Sequence, residues 1–587
     1  MSAPAQFGPQ LTSSGVTFRL WAPAAKRVDL MLDRTHPMEE GPEGWYRLTV
    51  PGARAGTLYK FRIDGELEVP DPASHFQPHD VFGPSEVIDH DVYRWEAARW
   101  RGRAWEETAI LEIHIGTFTP AGTFRSAIEK LDHIAETELT AIELMPLADF
   151  AGRYSWGYDG VLLYAPDSSY GRPDDLKALI DAAHARGLMV FLDVVYNHFG
   201  PEGNHLARYA PSFFTSAQTP WGSAIDYRVP QVRRFAIDNA LHWLHHYRLD
   251  GLRLDAVHAV VEPGRASLLH EFSQAVGQFA GESGRKIHLI LENDDNCASI
   301  LDAGQDPPNG RFRAQWNDDY HHAWHVLLTG EHQGYYQDYS DPLGHITRVL
   351  SSGFAYQGEP SPCRRGHGRG EPSGDLSPLA FVNFLQNHDQ IGNRPLGDRL
   401  CSMANEQALT AALAITLLAP MPPLLFMGEE WGSTRPFPFF CDFQGDLAQA
   451  VREGRRREFA HAYERFGDEI PDPLAEETVR SAVLDWPLRQ QPQQQKRLTF
   501  VRELLAIRKR EIVPRLAGVR FGSSQLVDTV VTASWRLGDG SPLVLVVNLS
   551  DQTAEQPVGS RQERSLWGTG TRDKLAPWSV LWSIGAK

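Results

Sequence analysis

Arg253 and Asp255 stand two residues apart in "DGLRLDAVHAV" (residues 250–260), a run otherwise fit for a buried strand, with His258 close behind. Side chains two apart on a strand share a face, so a cation and a carboxylate would lie side by side. Other apolar runs end in similar polar sets. "DVVYNH" offers Asp193, Asn197 and His198, "LILENDDN" ends in Glu292, and "NFLQNHDQIGNR" carries His388 and Asp389. Singly, each has an ordinary explanation: a strand-end Asp commonly caps a helix, and an Arg beside an Asp is commonly a structural ion pair. Together they would crowd three carboxylates and two His into one pocket, where they repel. Such a pocket suits a site with divided acid and base roles. Glycoside cleavage needs this set, because one carboxylate attacks the anomeric carbon and a protonated carboxylic acid donates to the leaving oxygen. Arg253 is expected to keep Asp255 ionised, and Glu292, next to other carboxylates, to hold its proton.

These groups act together only if the strands bearing them are neighbours. Candidate strands are "ILEIHIG", "AIELMP", "LMVFLDVVYN", "GLRLDAV", "HLILEN", "RAQWND", "AFVNFLQN" and "PLLFMGEE". Helix patterns such as "PDDLKALIDAAHARG" and "EQALTAALAITLLA" separate most of them. Strands alternating with helices imply parallel pairing, and eight units predict a (β/α)8 TIM barrel with its working residues at the strand C-termini. Before it, "VTFRLWAP", "RVDLML", "GWYRLTV" and "TLYKFRID" predict a small β-sandwich. After it, "LVDTVVTASWRL" and "PLVLVVNLS" predict strands of a C-terminal β domain. The expected division is a sandwich over 1–100, a catalytic barrel with loop insertions over 101–520 and a β domain over 521–587. One insertion spans 200–229, "GEPSPCRRGHGRGEPSG" reads as a flexible loop, and "RQQPQQQKR" as an exposed turn or linker.

Composition narrows the function classes. The 587 residues include 57 Lys plus Arg against 74 Asp plus Glu, a net charge of −17. That disfavours nucleic acid, whose phosphates need a basic surface. Four scattered cysteines without Cys-x-x-Cys spacing fit reduced thiols in a cytoplasmic protein. "MSAPAQFGPQ" lacks the pattern of a signal peptide, and no apolar run is long enough to span a bilayer. No phosphate loop, HExxH or nicotinamide fingerprint is present, so no cofactor is expected.

"DVVYNH", "GLRLDAVH", the Glu of "LILEN" and "FLQNHD" resemble, in order, the four sequence regions of the α-amylase superfamily, glycoside hydrolase family thirteen. The resemblance covers essentially the whole chain and is weakest in the last seventy or so residues. It implies a retaining hydrolase with Asp255 as nucleophile, Glu292 as general acid/base and Asp389 as a third carboxylate gripping the distorted sugar. It also implies that Arg253 positions Asp255, that His198 and His388 bond sugar hydroxyls, and that Tyr158 of "WGYDG" stacks on the ring. Asp193 would orient its neighbours. His258, Asp318 and Asp319 would lie toward the leaving group, and Gln390, Asn393 and Arg394 would line the cleft. The N-terminal "FRLWAPAAKRVDLML" with "DPAS" resembles an immunoglobulin-like, carbohydrate-binding-module-like sandwich.

"WGYDGVLLYAPDSSYGRP", "ENDDN" and "WNDDYHH" are similar to members that cut the α-1,4 bond beside a terminal trehalose. Maltooligosyltrehalose and trehalose would then be the ligands, and the enzyme that forms the terminal trehalose a pathway partner. Alternatives are a glycogen branching or debranching enzyme of the superfamily and, remotely, a non-catalytic glucan-binding protein. "PWGSAIDY" and "STRPFPFFCDF" would set acceptor choice. No metal is expected, because calcium-binding amylases carry an acidic insertion whereas 200–229 holds only Glu202 and Asp226 as carboxylates.

Overall fold

A computed structural model describes residues 6–219, 221–260, 265–301, 311–555, 564–568 and 574–586. The first five residues of the N-terminus and Pro220 of "PWGSAIDY" lie outside them.

The N-terminal strands form two antiparallel sheets. Gly15–Trp21 pairs with Trp45–Val50 in one, and Val28–Met31 with Leu58–Ile63 in the other. Phe18 and Leu20 of the first sheet and Leu30 and Phe61 of the second bury their side chains as one core. Leu58–Ile63 alternates buried with less buried positions, the period of a strand with one covered face.

Eight parallel strands follow: β1 (Ile110–Ile113), β2 (Ala141–Leu144), β3 (Met189–Val194), β4 (Gly251–Leu254), β5 (His288–Leu291), β6 (Ala314–Trp316), β7 (Phe381–Val382) and β8 (Leu424–Phe426). Every residue in them is buried, as expected of a parallel sheet covered on both faces. Neighbours pair in register from β1 through β7, and β8 pairs with β1. The ring closes between β7 and β8 at the bridge Asn383–Pro423, where Leu424 N–H donates to the Asn383 carbonyl at 2.9 Å. The eight predicted strands are therefore the eight staves of the barrel. Gly251 opens β4 because a Cβ there would lie 2.3 Å from the His288 carbonyl oxygen.

A five-stranded antiparallel sheet ends the chain. "LVDTVVTASWRL" is not one strand in it. The run divides into Arg520–Val527 and Val530–Arg536 around Asp528, whose φ of 53° makes the turn. "RQQPQQQKR" is also not a linker, since helix Pro492–Ile507 begins inside it. Pro is pre-set for the first helical position, and Gln is a good helix former. The Gly- and Pro-rich segment 358–374 folds back on itself through the bridge Pro360–Gly368 and is pinned by ion pairs. The insertion 200–229 contains the hairpin Phe214–Thr219 with Gly222–Ile225. No disulfide joins any of the four cysteines. Among the described residues no helix is long and apolar enough to cross a membrane.

Candidate active site

Arg253 on β4 is completely buried and touches three carboxylates. Its Nη1 lies 2.6 Å from Asp193 Oδ2 and 2.8 Å from Asp255 Oδ1, and its Nη2 lies 2.9 Å from Glu292 Oε2. The planar fork is the group that can hold two carboxylates at fixed separation. Its face rests 4.1 Å over the Trp316 ring, adding a cation–π contact. Asp255 and Glu292 leave adjacent strands at the same level, with Asp255 N–H bonded to the Val194 carbonyl and Glu292 N–H to the Leu254 carbonyl, both at 3.0 Å.

Between them the backbone turns sharply. Ala256 takes φ 39°, a left-handed conformation unfavourable for Ala, and its N–H donates to Glu292 Oε2 at 2.8 Å. Asn197 Nδ2 donates to Asp255 Oδ2 at 2.9 Å. Burial pushes the Glu292 carboxyl above the usual range; Arg253 opposes this and Asp255 reinforces it. Desolvation, more than the neighbouring carboxylates invoked from sequence, therefore favours the protonated acid. Asp193 is pushed to about 7, first by burial, with Arg253 opposing and Asp255 adding. It accepts the Tyr158 hydroxyl at 2.6 Å.

Sequence reasoning missed Glu112. This carboxylate on β1 bonds His388 Nδ1 at 2.5 Å and also accepts the His388 N–H at 3.2 Å. Burial alone would neutralise His388, but Glu112 and Asp389 outweigh it and raise the imidazole to about 9. His388 is thus a cation at neutral pH. It stacks on Tyr158 at 5.1 Å and sits 3.6 Å from Asp389. Asp389 itself is 39 % exposed at the mouth. The clue to Glu112 was a carboxylate in the middle of an apolar strand, the same oddity that singled out Arg253. Glu143 on β2 shows it too, buried with both oxygens unbonded and held protonated by burial and by Glu112.

A group raised from 6.5 to about 9 on folding lends stability that is full below pH 6.5 and lost as pH climbs through 9. Glu112→Gln is expected to lower thermal stability at pH 6 by several degrees and to narrow the gap to the parent toward pH 9.5. Melting curves across that range test it, and a gap independent of pH would refute the ion pair.

The remaining predicted residues divide. His198 lies beside the catalytic group, with Nε2 2.9 Å from the Tyr158 carbonyl oxygen and Nδ1 against Asn197 Oδ1. Both nitrogens face protein oxygens, so a sugar hydroxyl must displace one. Its ring stacks on Trp221 of "PWGSAIDY" in the insertion (5.2 Å, 12°), which is 49 % exposed. His258 Nδ1 accepts the N–H of Asp294, two residues past Glu292, at 3.2 Å. Asp318 belongs to the same field, since burial, with the carboxylates around it adding, pushes it well above the usual range. Gln390 lies beside Asp389 on helix His388–Gly392, and Asn393 caps the helix's C-terminal end. Asn393 Nδ2 donates to Asp389 at 3.3 Å, while Gln390 Oε1 is occupied in capping the Asn387 N–H.

Two predicted residues are engaged by protein partners. Asp319 is fully buried, and its oxygens are taken by Asn296 Nδ2, the Ala355 and Tyr356 N–H groups, Tyr339 Oη and Arg369. Arg394 forms a two-point ion pair with Glu331 at 2.6 and 2.9 Å. Much of "STRPFPFFCDF" is also core: Phe437 is buried and stacks on Trp156 at 5.3 Å. The segment 358–374 contributes instead, because Arg364 and Arg369 clamp Asp294, two residues past Glu292, at 2.6 and 2.9 Å.

Three family models match the chain: alpha amylase, catalytic domain, over residues 97–221; carbohydrate-binding module 48, the isoamylase N-terminal domain, over 6–74; and a domain of unknown function over 520–582. A malto-oligosyltrehalose trehalohydrolase of Deinococcus radiodurans is 40 % identical over 91 % of this chain and 90 % of its own length. One from Saccharolobus solfataricus is 40 % identical over 86 % and 87 %. A crystal structure from Salmonella typhimurium, provisionally assigned as an alpha amylase, superposes with a TM-score of 0.93 at 44 % identity, covering 99 % of this chain and all of its own.

Proposed function

The chain belongs to the malto-oligosyltrehalose trehalohydrolases, glycoside hydrolases of the α-amylase family, and on that premise we propose that it hydrolyses the α-1,4 bond next to the terminal trehalose of maltooligosyltrehalose. The products are trehalose and a shorter maltooligosaccharide. The observation that supports this chemistry best is the Arg253 fork, which holds Asp255 and Glu292 on neighbouring strand ends.

Asp255 attacks the anomeric carbon while Glu292 gives its proton to the departing trehalose oxygen. A covalent glycosyl-enzyme results. Water then attacks that carbon, Glu292 takes the water's proton, and Asp255 leaves as carboxylate. Asp389 and the His388 cation grip sugar hydroxyls. Tyr158 stacks on the ring with the face not covered by His388. His198 bonds a hydroxyl after yielding one protein partner, Asp193 orients Tyr158 and Arg253, and His258 and Asp318 lie toward the leaving group. Gln390 and Asn393 position Asp389, whereas Asp319 and Arg394 act through the loops they tie down. The three sheet systems support dividing the chain at about residues 100 and 520, and thiols outside any disulfide support a reducing, cytoplasmic setting. The enzyme forming the terminal trehalose is a pathway partner.

Incubation with maltooligosyltrehalose, plain maltooligosaccharide and glycogen tests the assignment. Free trehalose from the first, released with retained anomeric configuration at the new reducing end, is the expected result. New branch points, or equal hydrolysis of all three, would overturn it.

A further inference from the structure

Four histidines meet where the sandwich lies against the barrel. His75 comes from the loop between the sandwich strands Leu67–Val69 and Ser85–Glu86, His90 from just past the second of them, and His242 and His246 from helix Pro230–His246. On the helix the last two are four residues apart and so share a face. The His75 and His242 ring centres are 4.6 Å apart, His75 and His90 5.1 Å, and His90 and His242 5.3 Å. His246 stacks on His90 at 4.3 Å. One nitrogen from each of His75, His90 and His242 lies within 4.8 Å of the others, the one such trio of metal-binding side chains found among the described residues.

Packing alone does not account for the polar atoms here. His75 Nδ1, both nitrogens of His90 and His242 Nε2 are buried with no hydrogen-bond partner. Each such orphan carries an uncompensated desolvation penalty. Imidazole nitrogens left without a partner in this way are the donors that ligate metals. The nearby cation, Lys177, donates to the His90 carbonyl at 3.1 Å and is paired with Asp174 at 3.4 Å. A cavity of about 460 Å³, lined also by Asp89, Asp91 and Asp238, reaches the cluster and offers an ion a way in.

We propose that His75, His90 and His242 form a binding site for a zinc-class transition-metal dication, with His246 or water as fourth ligand. An all-imidazole donor set suits zinc, nickel, copper or cobalt and excludes calcium and magnesium, which take oxygen. Zinc–nitrogen bonds of ~2.0–2.1 Å place ligand atoms ~3.4 Å apart, so the rings close inward slightly on binding. The site is structural. The C-terminus of a barrel helix lies at the end opposite the strand C-termini, so the ion is remote from Asp255 and Glu292. It clips the edge of the sandwich onto the barrel wall.

Full-length protein without a polyhistidine tag, stripped with chelator, is titrated with Zn2+ and separately with Co2+. One equivalent of zinc per chain, a higher melting temperature with zinc, and an intense visible cobalt band of tetrahedral type are expected. His90→Gln with His242→Gln should lose all three while still releasing trehalose. Zinc uptake equal in the parent and the double variant would overturn the site, as would a weak, octahedral-type cobalt spectrum in the parent. The cobalt spectrum decides the matter even if the double variant does not fold.

Discussion

Asp255→Asn is expected to lower kcat by ~10⁴-fold or more on maltooligosyltrehalose, because the step that forms the glycosyl-enzyme loses its nucleophile. The substitution is nearly isosteric, so Arg253, Asp193 and Glu292 should keep their places and the melting temperature should change little. Glu292→Gln should cost ~10²–10⁴-fold, but with a different signature. A glycosyl fluoride leaves without a proton, so its first step should be nearly unaffected in Glu292→Gln and abolished in Asp255→Asn. The parent should lose activity as pH rises through the raised Glu292 value, and that alkaline limb should vanish in Glu292→Gln. An Asp255→Asn enzyme with more than a tenth of parental turnover would end the assignment.

The second large effect concerns Arg253. Arg253→Met should strip Asp193, Asp255 and Glu292 of their shared cation. Leaving buried charge uncompensated costs about 3–5 kcal/mol, so both stability and turnover should collapse. Arg253→Lys separates the two losses. It keeps the charge but not the fork, and one ammonium cannot hold both Asp255 and Glu292 at set positions. Melting temperature should largely recover in Arg253→Lys while kcat stays at least ~10²-fold down. Full recovery of kcat by Lys would show that charge alone matters and that the fork geometry does not.

The sequence made visible what breaks a local rule. Charged residues inside apolar strands exposed Arg253, Asp255 and Glu292, and the strand–helix rhythm placed them at one end of a barrel. Long-range partnership was not visible in that way. Asp319 carries the same kind of side chain as Asp318, next to it on helix Asp318–Thr329. Only the folded chain shows that one joins the field of Glu292 while the other is consumed by Asn296, Tyr339 and Arg369. Glu112 gave the right signal in "ILEIHIG", yet its meaning depends on His388, distant in sequence. The Gly- and Pro-rich composition of 358–374 pointed to looseness, but Arg364 and Arg369 of that loop tie it to Asp294. The histidine cluster draws on two stretches separated by most of the barrel's first half, and no spacing rule joins them.

The seam between β7 and β8 also sets when, during synthesis, a working enzyme can first exist. Glu112 and His388 are 276 residues apart. At ~5–20 residues per second, that separation is roughly 15–55 seconds of translation. For that interval the nascent chain carries the β1 edge without its β8 partner and a carboxylate at position 112 without its counter-ion. The early half-barrel must therefore be sheltered from other chains until the last stave leaves the ribosome, and the residues that seal the ring arrive together with those that complete the catalytic face.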